Sequence, residues 1–436
     1  MIRILIPADS PRTDYALELV FSRIIGLPYE MVTLADYQHS DETPLINYTQ
    51  LIIPGAFSIP NAGLLRQTDI HPVDLRIATR EIPFLFHFTA SSSSYHLEFD
   101  IFSAVFFLAS DYEKYISHNE DFHQRYDQAA YPSAEWGLNQ LPLVHLYCEN
   151  LKQCLCAYFP GLETAISSPE PDFQLTWDID FPWKYFHKDA RTSIGGFFKD
   201  LVSKRWSGFA ERTLSWVTGR DPNYTFDRIF ALCPPEKTTF FFLIDRHSPH
   251  DSRFTWKNPH LVRLIQEISA RRYHTAIHPS YTSFCDREKI EAEIAHLAHI
   301  TGKAITRSRQ HFLRYRLPDT FRFLSGSGIT REFSLCRFAD AGFPCGMAVP
   351  FPWFDLEKNE TTNLTLYPTI AMDRTLQQYM GLGPEEAVSH LRILWKTTCE
   401  YRGLFTLLLH NDVLSESEEW KGWRAPVSAF LKELAG

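Results

Sequence analysis

The sequence has no run of the ~18 consecutive apolar residues that a membrane-spanning helix needs, so membrane insertion is not expected. It also lacks a surplus of positive charge. With 43 Lys and Arg against 52 Asp and Glu, the formal charge is −9. A nucleic-acid partner, which requires a basic face to displace counterions from phosphates, is therefore excluded. Cysteine is sparse and unpatterned. Cys148, Cys154, Cys156, Cys233, Cys285, Cys336, Cys345 and Cys399 form no C-x-x-C pair and no zinc-finger spacing, so neither a structural zinc nor a disulfide framework is implied. Absent too are a G-x-S-x-G elbow, a G-x-x-x-x-G-K-[ST] loop and an H-E-x-x-H pair, which leaves serine-hydrolase, P-loop and zincin readings without residues to carry them. The segment M-I-R-I-L-I-P-A-D from Met1 to Asp9 is interrupted by Pro7 and Asp9 too early for a signal-peptide core. It reads as a first β-strand, and the expected compartment is the cytoplasm.

What is present is an ordinary globular composition, 44% apolar and 22% charged. At 436 residues, two domains of about 100–200 residues or more each are expected. Aromatic residues are abundant, at 14%, with 34 Phe and 10 Trp. They build cores first, but they also stack on the apolar faces of pyranose rings, so the surplus accords with a carbohydrate ligand. Nothing in the pattern specifies an oligomeric state. There is no internal repeat, and the one low-complexity stretch is Ser91 to Ser94.

Residues 1–165 form the expected first domain, a smaller α/β unit. It has strand candidates at Ile2–Ile6 and Leu51–Ile53, and a dense apolar segment at Phe99–Leu108 suited to a buried element. Ala165 to Asp172, with two prolines among polar neighbours, has linker composition. From 172 to 436 strands and helices alternate, which predicts parallel α/β architecture. Phe173–Trp177 and Thr238–Ile244 are apolar strand candidates. Asn258 caps a helix running to about Arg272, and a second helix runs from Asp286 to near Gly302. A third runs from near Pro384 to about Tyr401. Each leads into a further strand candidate, at His274–Ile277, Ala304–Ser308 and Leu404–Leu409. Ionisable residues follow the strands: Asp178 and Asp180, His278, Arg309 and His311, and His410. The C-terminal ends of strands are where (β/α) barrels assemble their active sites.

Asp178 and Asp180, at i and i+2 on an extended chain, point to the same side. Two carboxylates so close need a cation or a proton between them. His274 and His278 could share a metal only from a helical or turned segment; on a strand, at ~3.3 Å per residue, they stand ~13 Å apart and one alone could bind. Pro279 disfavours helix at His278. Arg309 could hold a carboxylate bidentately, and His311 could take the place of His274 as a metal ligand. His410, ending an apolar strand, could donate a proton to a leaving group.

The ordered set T-W-D-I-D (Thr176–Asp180), H-T-A-I-H-P (His274–Pro279), R-Q-H-F (Arg309–Phe312) and L-L-L-H (Leu407–His410) resembles the polysaccharide deacetylase family. That family, the NodB-homology domain, carries T-F-D-D-G, H-[ST]-x-x-H-P, R-x-P-Y and L-x-x-H in that order. The likeness spans residues ~172–436 at domain scale. The first half resembles an uncharacterised region found ahead of such domains in some bacterial proteins, through I-P-N-A-G-L (Ile59–Leu64), F-D-I-F (Phe99–Phe102) and Y-E-K-Y (Tyr112–Tyr115).

The resemblance implies a distorted, NodB-like (β/α) barrel preceded by the smaller α/β domain, a divalent metal, commonly zinc, and hydrolytic removal of acetyl groups from a sugar or glycan precursor. It implies Asp178 as general base, Asp180 and His278 as metal ligands, Arg309 as the group orienting Asp178, and His410 as general acid. The third ligand is either His274 or His311. This sequence separates the two acids with Ile179 and replaces R-x-P-Y by R-Q-H-F, which leaves room for a carbohydrate-binding protein with a degenerate site or a metal-dependent amidase acting on a non-sugar substrate.

Overall fold

Ile2–Ile6 (β1) is the apolar strand expected at the N-terminus, with Ile4, Leu5 and Ile6 fully buried. The computed structural model describes residues 1–38, 43–79, 82–88, 95–117, 119–187 and 206–436, so the Ser91–Ser94 run lies outside the described residues. Tyr29–Thr33 (β2) and Leu45–Asn47 (β3) flank β1, and Phe57–Ser58 (β4) pairs with β3. The sheet is parallel throughout, in the order β2-β1-β3-β4. The strand expected at Leu51–Ile53 does not form. Pro54 and Gly55, the latter at φ 75°, end the run in a turn, Ile52 is 82% exposed, and the strand falls earlier, on the buried Leu45–Asn47.

Helix α1, Pro11–Leu17, starts with proline at its first position and continues through a π-helical stretch, Glu18–Ile25, to Gly26 in the left-handed region at φ 73°. Helix α2, Ile101–Ala109, is buried at every position, and Asp100 caps it by accepting the Ser103 N–H at 3.0 Å. This is the dense apolar segment of the sequence. Helix α3, Leu143–Tyr158, buries Val144, Tyr147, Leu151 and Leu155 along one side.

Contacts divide the chain into two units. The first holds residues 1–172 together with 342–368 and 397–404, and the second holds 173–341, 369–396 and 405–436. The expected single block from 172 to 436 is thus interrupted. The hairpin Phe351–Asp355/Glu360–Leu366 groups with the first unit because its core partners are there. Phe354 packs with its ring 5.1 Å from both Tyr15 and Phe106, and the Tyr15 hydroxyl donates to the Pro352 carbonyl at 2.9 Å. His145 accepts the Ala348 N–H at 3.0 Å.

The second unit is built on the strands Asp172–Ile179 (β5), Thr238–Phe242 (β6), His274–Ile277 (β7), Arg307–Ser308 (β8), Arg331–Glu332 (β9), Ala371–Met372 (β10) and Leu404–His410 (β11), of which only the first residues of β5 and β11 fall in the first unit. They form one row in the order β9-β8-β7-β6-β5-β11-β10. The pairings β5–β6, β6–β7, β7–β8, β8–β9 and β10–β11 are parallel. Every residue of β6 is buried, as an apolar strand covered on both faces requires. Just past β9 and just before β10, the Thr369 N–H donates to the Leu335 carbonyl at 2.8 Å, and a single bridge joins Cys336 to Thr369.

The expected helices form where their caps place them. Pro259–Ala270 (α4) begins at Asn258, whose side chain accepts from the His260 and Leu261 N–H groups at 3.0 and 3.2 Å. Arg287–Thr301 (α5) is capped by Asp286 and stopped by Gly302 at φ 67°. Pro384–Glu400 (α6) buries Val388 and Leu391. The strand expected over Ala304–Ser308 contracts to Arg307–Ser308, because its partner β9 offers only two residues to pair with. No helix among the described residues is long and apolar enough to cross a membrane.

Candidate metal centre

Parallel pairing brings the C-terminal ends of the strands to one edge, and each site residue sits at such an end. Asp178 is the penultimate residue of β5 and Asp180 follows the strand. His278 follows β7, Arg309 and His311 follow β8, Asp373 follows β10, and His410 ends β11. All lie within the second unit.

Asp180, His278 and His311 each offer one donor atom, and the three atoms lie within 4.8 Å of one another. His278 Nε2 stands 3.4 Å from Asp180 Oδ1 and 3.6 Å from Asp178 Oδ2, and His311 Nε2 stands 3.7 Å from Asp180 Oδ2. The same-side placement expected of Asp178 and Asp180 is present, since both face one imidazole nitrogen. His278 Nδ1 lies 2.6 Å from the Arg309 carbonyl, which can only accept. Nδ1 therefore carries the proton, and Nε2 of the neutral ring keeps its lone pair for the site.

Burial and the surrounding charges set the protonation. Burial lowers the His278 imidazole, against the pull of Asp178 and Asp180, and favours its neutral form. Burial would raise Asp180, but His311, His278 and His410 outweigh it and hold the carboxyl far below the usual range. Burial would lower His311, yet Asp180 and Asp251 raise it to about 9. Asp251 itself, which burial alone would raise, is lowered to about 2 by His311 and by backbone N–H donors.

The donor set fits a divalent cation. Asp180 Oδ1 is a buried carboxylate oxygen that accepts no hydrogen bond, and it faces an imidazole nitrogen whose ring is already anchored on its far side. One carboxylate and two imidazoles are a set that transition metals bind with open positions to spare.

His274 does not belong to this group. It begins β7, where it pairs with Thr239, at the opposite end of the strand from His278. Its imidazole is pushed down to about 4 by burial and by Arg307, Arg331 and Lys303, a cationic setting that repels a metal. The extended backbone of His274–Ile277 is the reason: residues four apart on a strand cannot share an ion. Of the two histidines, His311 is the one whose imidazole lies beside Asp180 and His278.

Around the three donors lie two further pairs. Arg309 Nη1 donates to Asp178 Oδ1 at 2.8 Å, and its other nitrogens reach the Phe333 carbonyl and the Thr176 and Thr369 hydroxyls at 3.1, 2.9 and 3.2 Å. On the other side His410 Nε2 stands 3.8 Å from Asp180 Oδ2, while its Nδ1 meets Asp373 Oδ1 at 2.8 Å. Burial is outweighed there by Asp373 and then by Asp180, which raise His410 to about 9.

Two residues of this arrangement carry no mark in the motif pattern. Asp373 ends the short apolar piece Ile370-Ala371-Met372, a strand-then-acid pattern like that of β5, and it could have been found on that ground. Asp251 lies in an irregular loop after β6 and gives no sequence signal.

The profile of a family of unknown function (DUF7033) matches residues 2–160. No curated protein matches the sequence. Among solved structures, the chain is similar to a Mycobacterium smegmatis protein assigned to the polysaccharide deacetylases, at 15% identity and TM-score 0.40, covering 62% of this chain and 85% of that one. It is similar also to a Pseudomonas aeruginosa PAO1 protein with the same assignment, at 12% identity and TM-score 0.38, covering 60% and 84%. A third is a mutant of a CE4 family pseudoenzyme with restored enzymatic activity, at 10% identity and TM-score 0.31, covering 61% and 64%.

Proposed function

We propose that the second unit is a metal-dependent deacetylase that removes acetyl groups from an amino sugar or glycan precursor. The observation that carries this reading is the convergence of Asp180, His278 and His311 between two prepared pairs, Asp178–Arg309 and His410–Asp373. We read the row of parallel strands, with Thr369 and Leu335 linking its two ends, as a distorted (β/α) barrel whose C-terminal edge holds the site.

Asp180, His278 and His311 are the residues that would hold the cation, and zinc suits a catalytic set of three N/O ligands. Bound there, it supplies Lewis acidity that polarises an acyl carbonyl and makes nearby water easier to deprotonate.

Asp178 takes the proton. Its Oδ1 is engaged by Arg309, so Oδ2, which faces the site, is the oxygen left to act as general base on an attacking water. Arg309 fixes the carboxylate's rotamer from behind and supplies the countercharge. His410 holds a proton at Nε2, since Asp373 engages Nδ1 and stabilises the imidazolium. That proton passes to the departing amine or alkoxide as its bond to the acyl carbon breaks. Phe181, next to Asp180 and exposed, offers an apolar face on which a pyranose ring can stack. The sugar assignment draws on this and on the order of the four motifs.

The test is acetate release by the zinc-loaded chain from N-acetylated amino-sugar oligomers and, in parallel, from acetylated peptides. Release from the sugars is the expected result. Release from peptides alone would reassign the site to a non-sugar amidase, and release from neither would overturn the deacetylase reading.

A further inference from the structure

We infer that Asp251 is a positioning residue that aims His311 at the cation, so that metal affinity depends on a carboxylate that touches no metal. The inference rests on the metal-centre reading above.

Asp251 lies in the loop after β6 with its side chain fully buried. Its Oδ1 meets His311 Nδ1 at 3.3 Å and accepts the Tyr281 N–H at 2.7 Å. Its Oδ2 accepts the His247 and Ser248 N–H groups at 2.9 and 2.7 Å. One carboxylate therefore joins three loops, those after β6, β7 and β8, and the last two carry His278 and His311. The His311 N–H also donates to the Pro279 carbonyl at 3.2 Å, which ties those two loops directly. Beyond His311 the backbone is held in the left-handed region at Phe312 and Leu313, at φ 61° and 57°, and Arg314 lies over the Tyr281 ring at 3.7 Å. The loop is thus kept in a strained conformation with His311 as the residue presented.

The two imidazoles are backed differently. His278 leans on a neutral carbonyl, whereas His311 leans on a carboxylate. A carboxylate behind a ligating imidazole fixes the tautomer with the proton on Nδ1 and increases electron density at the opposite nitrogen, and losing such a partner typically weakens metal affinity 10–100-fold. A role confined to loop folding would predict something else. Asp251 would then matter equally whether or not His311 is present.

The measurement is the zinc dissociation constant of the full chain, obtained by competition with a chromophoric chelator, for wild type, Asp251→Asn, His311→Ala and the double variant. Asp251→Asn is expected to weaken zinc binding about 10–100-fold when His311 is present, and to add little in the His311→Ala background, because the carboxylate acts through that ring. Wild-type zinc binding with an unchanged constant in Asp251→Asn overturns the inference and leaves the metal centre standing. Equal losses in both backgrounds assign Asp251 to loop folding and overturn it too. A wild-type chain that binds no zinc overturns the metal-centre reading and the inference together. Imidazole ¹⁵N spectra of the zinc-loaded wild type give a check that needs no variant: His311 should carry its proton on Nδ1 and the metal on Nε2, and the reverse assignment contradicts the role given to Asp251.

Discussion

Arg309 and Asp178 are joined at 2.8 Å with both side chains buried, and the guanidinium lies 4.6 Å over the Phe241 ring. The pair links the C-terminal end of β5 to the loop after β8 through a contact 131 residues apart in sequence. Removing the cation leaves a buried carboxylate without its partner, whereas the pair itself need contribute little net stability. Arg309→Met is therefore expected to lower the unfolding free energy by about 3–5 kcal/mol, read by urea denaturation. A loss below about 1 kcal/mol would mean that Asp178 finds another partner or stays hydrated.

Asp373 stands behind His410 and touches none of the three cation donors, so its loss should separate turnover from metal binding. Asp373→Asn is expected to lower kcat for acetate release by about 10²–10⁴-fold, the usual worth of a positioned acid, with zinc content unchanged. Full turnover in this variant, or loss of zinc along with turnover, contradicts the role assigned to the pair.

Glu293, on α5, is buried beneath the His278 loop, where Ser280 and Ser283 donate to it and His247 Nε2 stands 3.5 Å away. Burial, with a smaller push from Asp245, raises its carboxyl from 4.5 to about 7 against the effect of these donors. Below the unfolded value both states hold the proton and the group costs nothing. As pH rises from there to the folded value, the unfolded chain ionises first, so stability falls. Between pH 5 and 8 the wild type should lose on the order of 3 kcal/mol relative to Glu293→Gln. A difference between the two proteins that stays constant across that range in chemical denaturation counts against the burial argument.

Gly26 ends α1 at φ 73°, and a Cβ built there would lie 2.0 Å from the Ser167 carbonyl oxygen. Gly55 has nearly the same φ, 75°, with nothing within 4 Å. Gly55→Ala should cost only the left-handed backbone penalty of about 1–2 kcal/mol, while Gly26→Ala, which must also displace backbone, should cost clearly more. Equal shifts in Tm would show that the Ser167 segment yields freely.

Much of this arrangement was legible in the sequence because it is written in local chemistry. Asn258, Asp286 and Gly302 mark helix ends by hydrogen bonds that each residue makes within three or four positions of itself. The strand ends were legible because apolar runs stop at Asp180, His278 and His410. The set of three converging donors was not fully legible. Whether His274 or His311 completes it depends on the extended backbone at His274–Ile277 and on pairing between β7 and β8, a tertiary fact. The same holds for Asp251, which reaches His311 from 60 residues away. The interruption of the second unit at 342–368 escaped because the apolar partners of that hairpin, Tyr15 and Phe106, lie hundreds of positions upstream. Leu51–Ile53 misled for the opposite reason: it is apolar enough for a strand, but Pro54 and Gly55 turn the chain away.

The account turns on one cation held by Asp180, His278 and His311. Metal analysis after zinc loading and exhaustive dialysis tests it directly, on the wild type, Asp180→Ala, His311→Ala and His274→Ala. One zinc per chain is predicted for the wild type and for His274→Ala, and substoichiometric zinc for the other two. A wild type without zinc, or an Asp180→Ala variant that keeps it, contradicts the account.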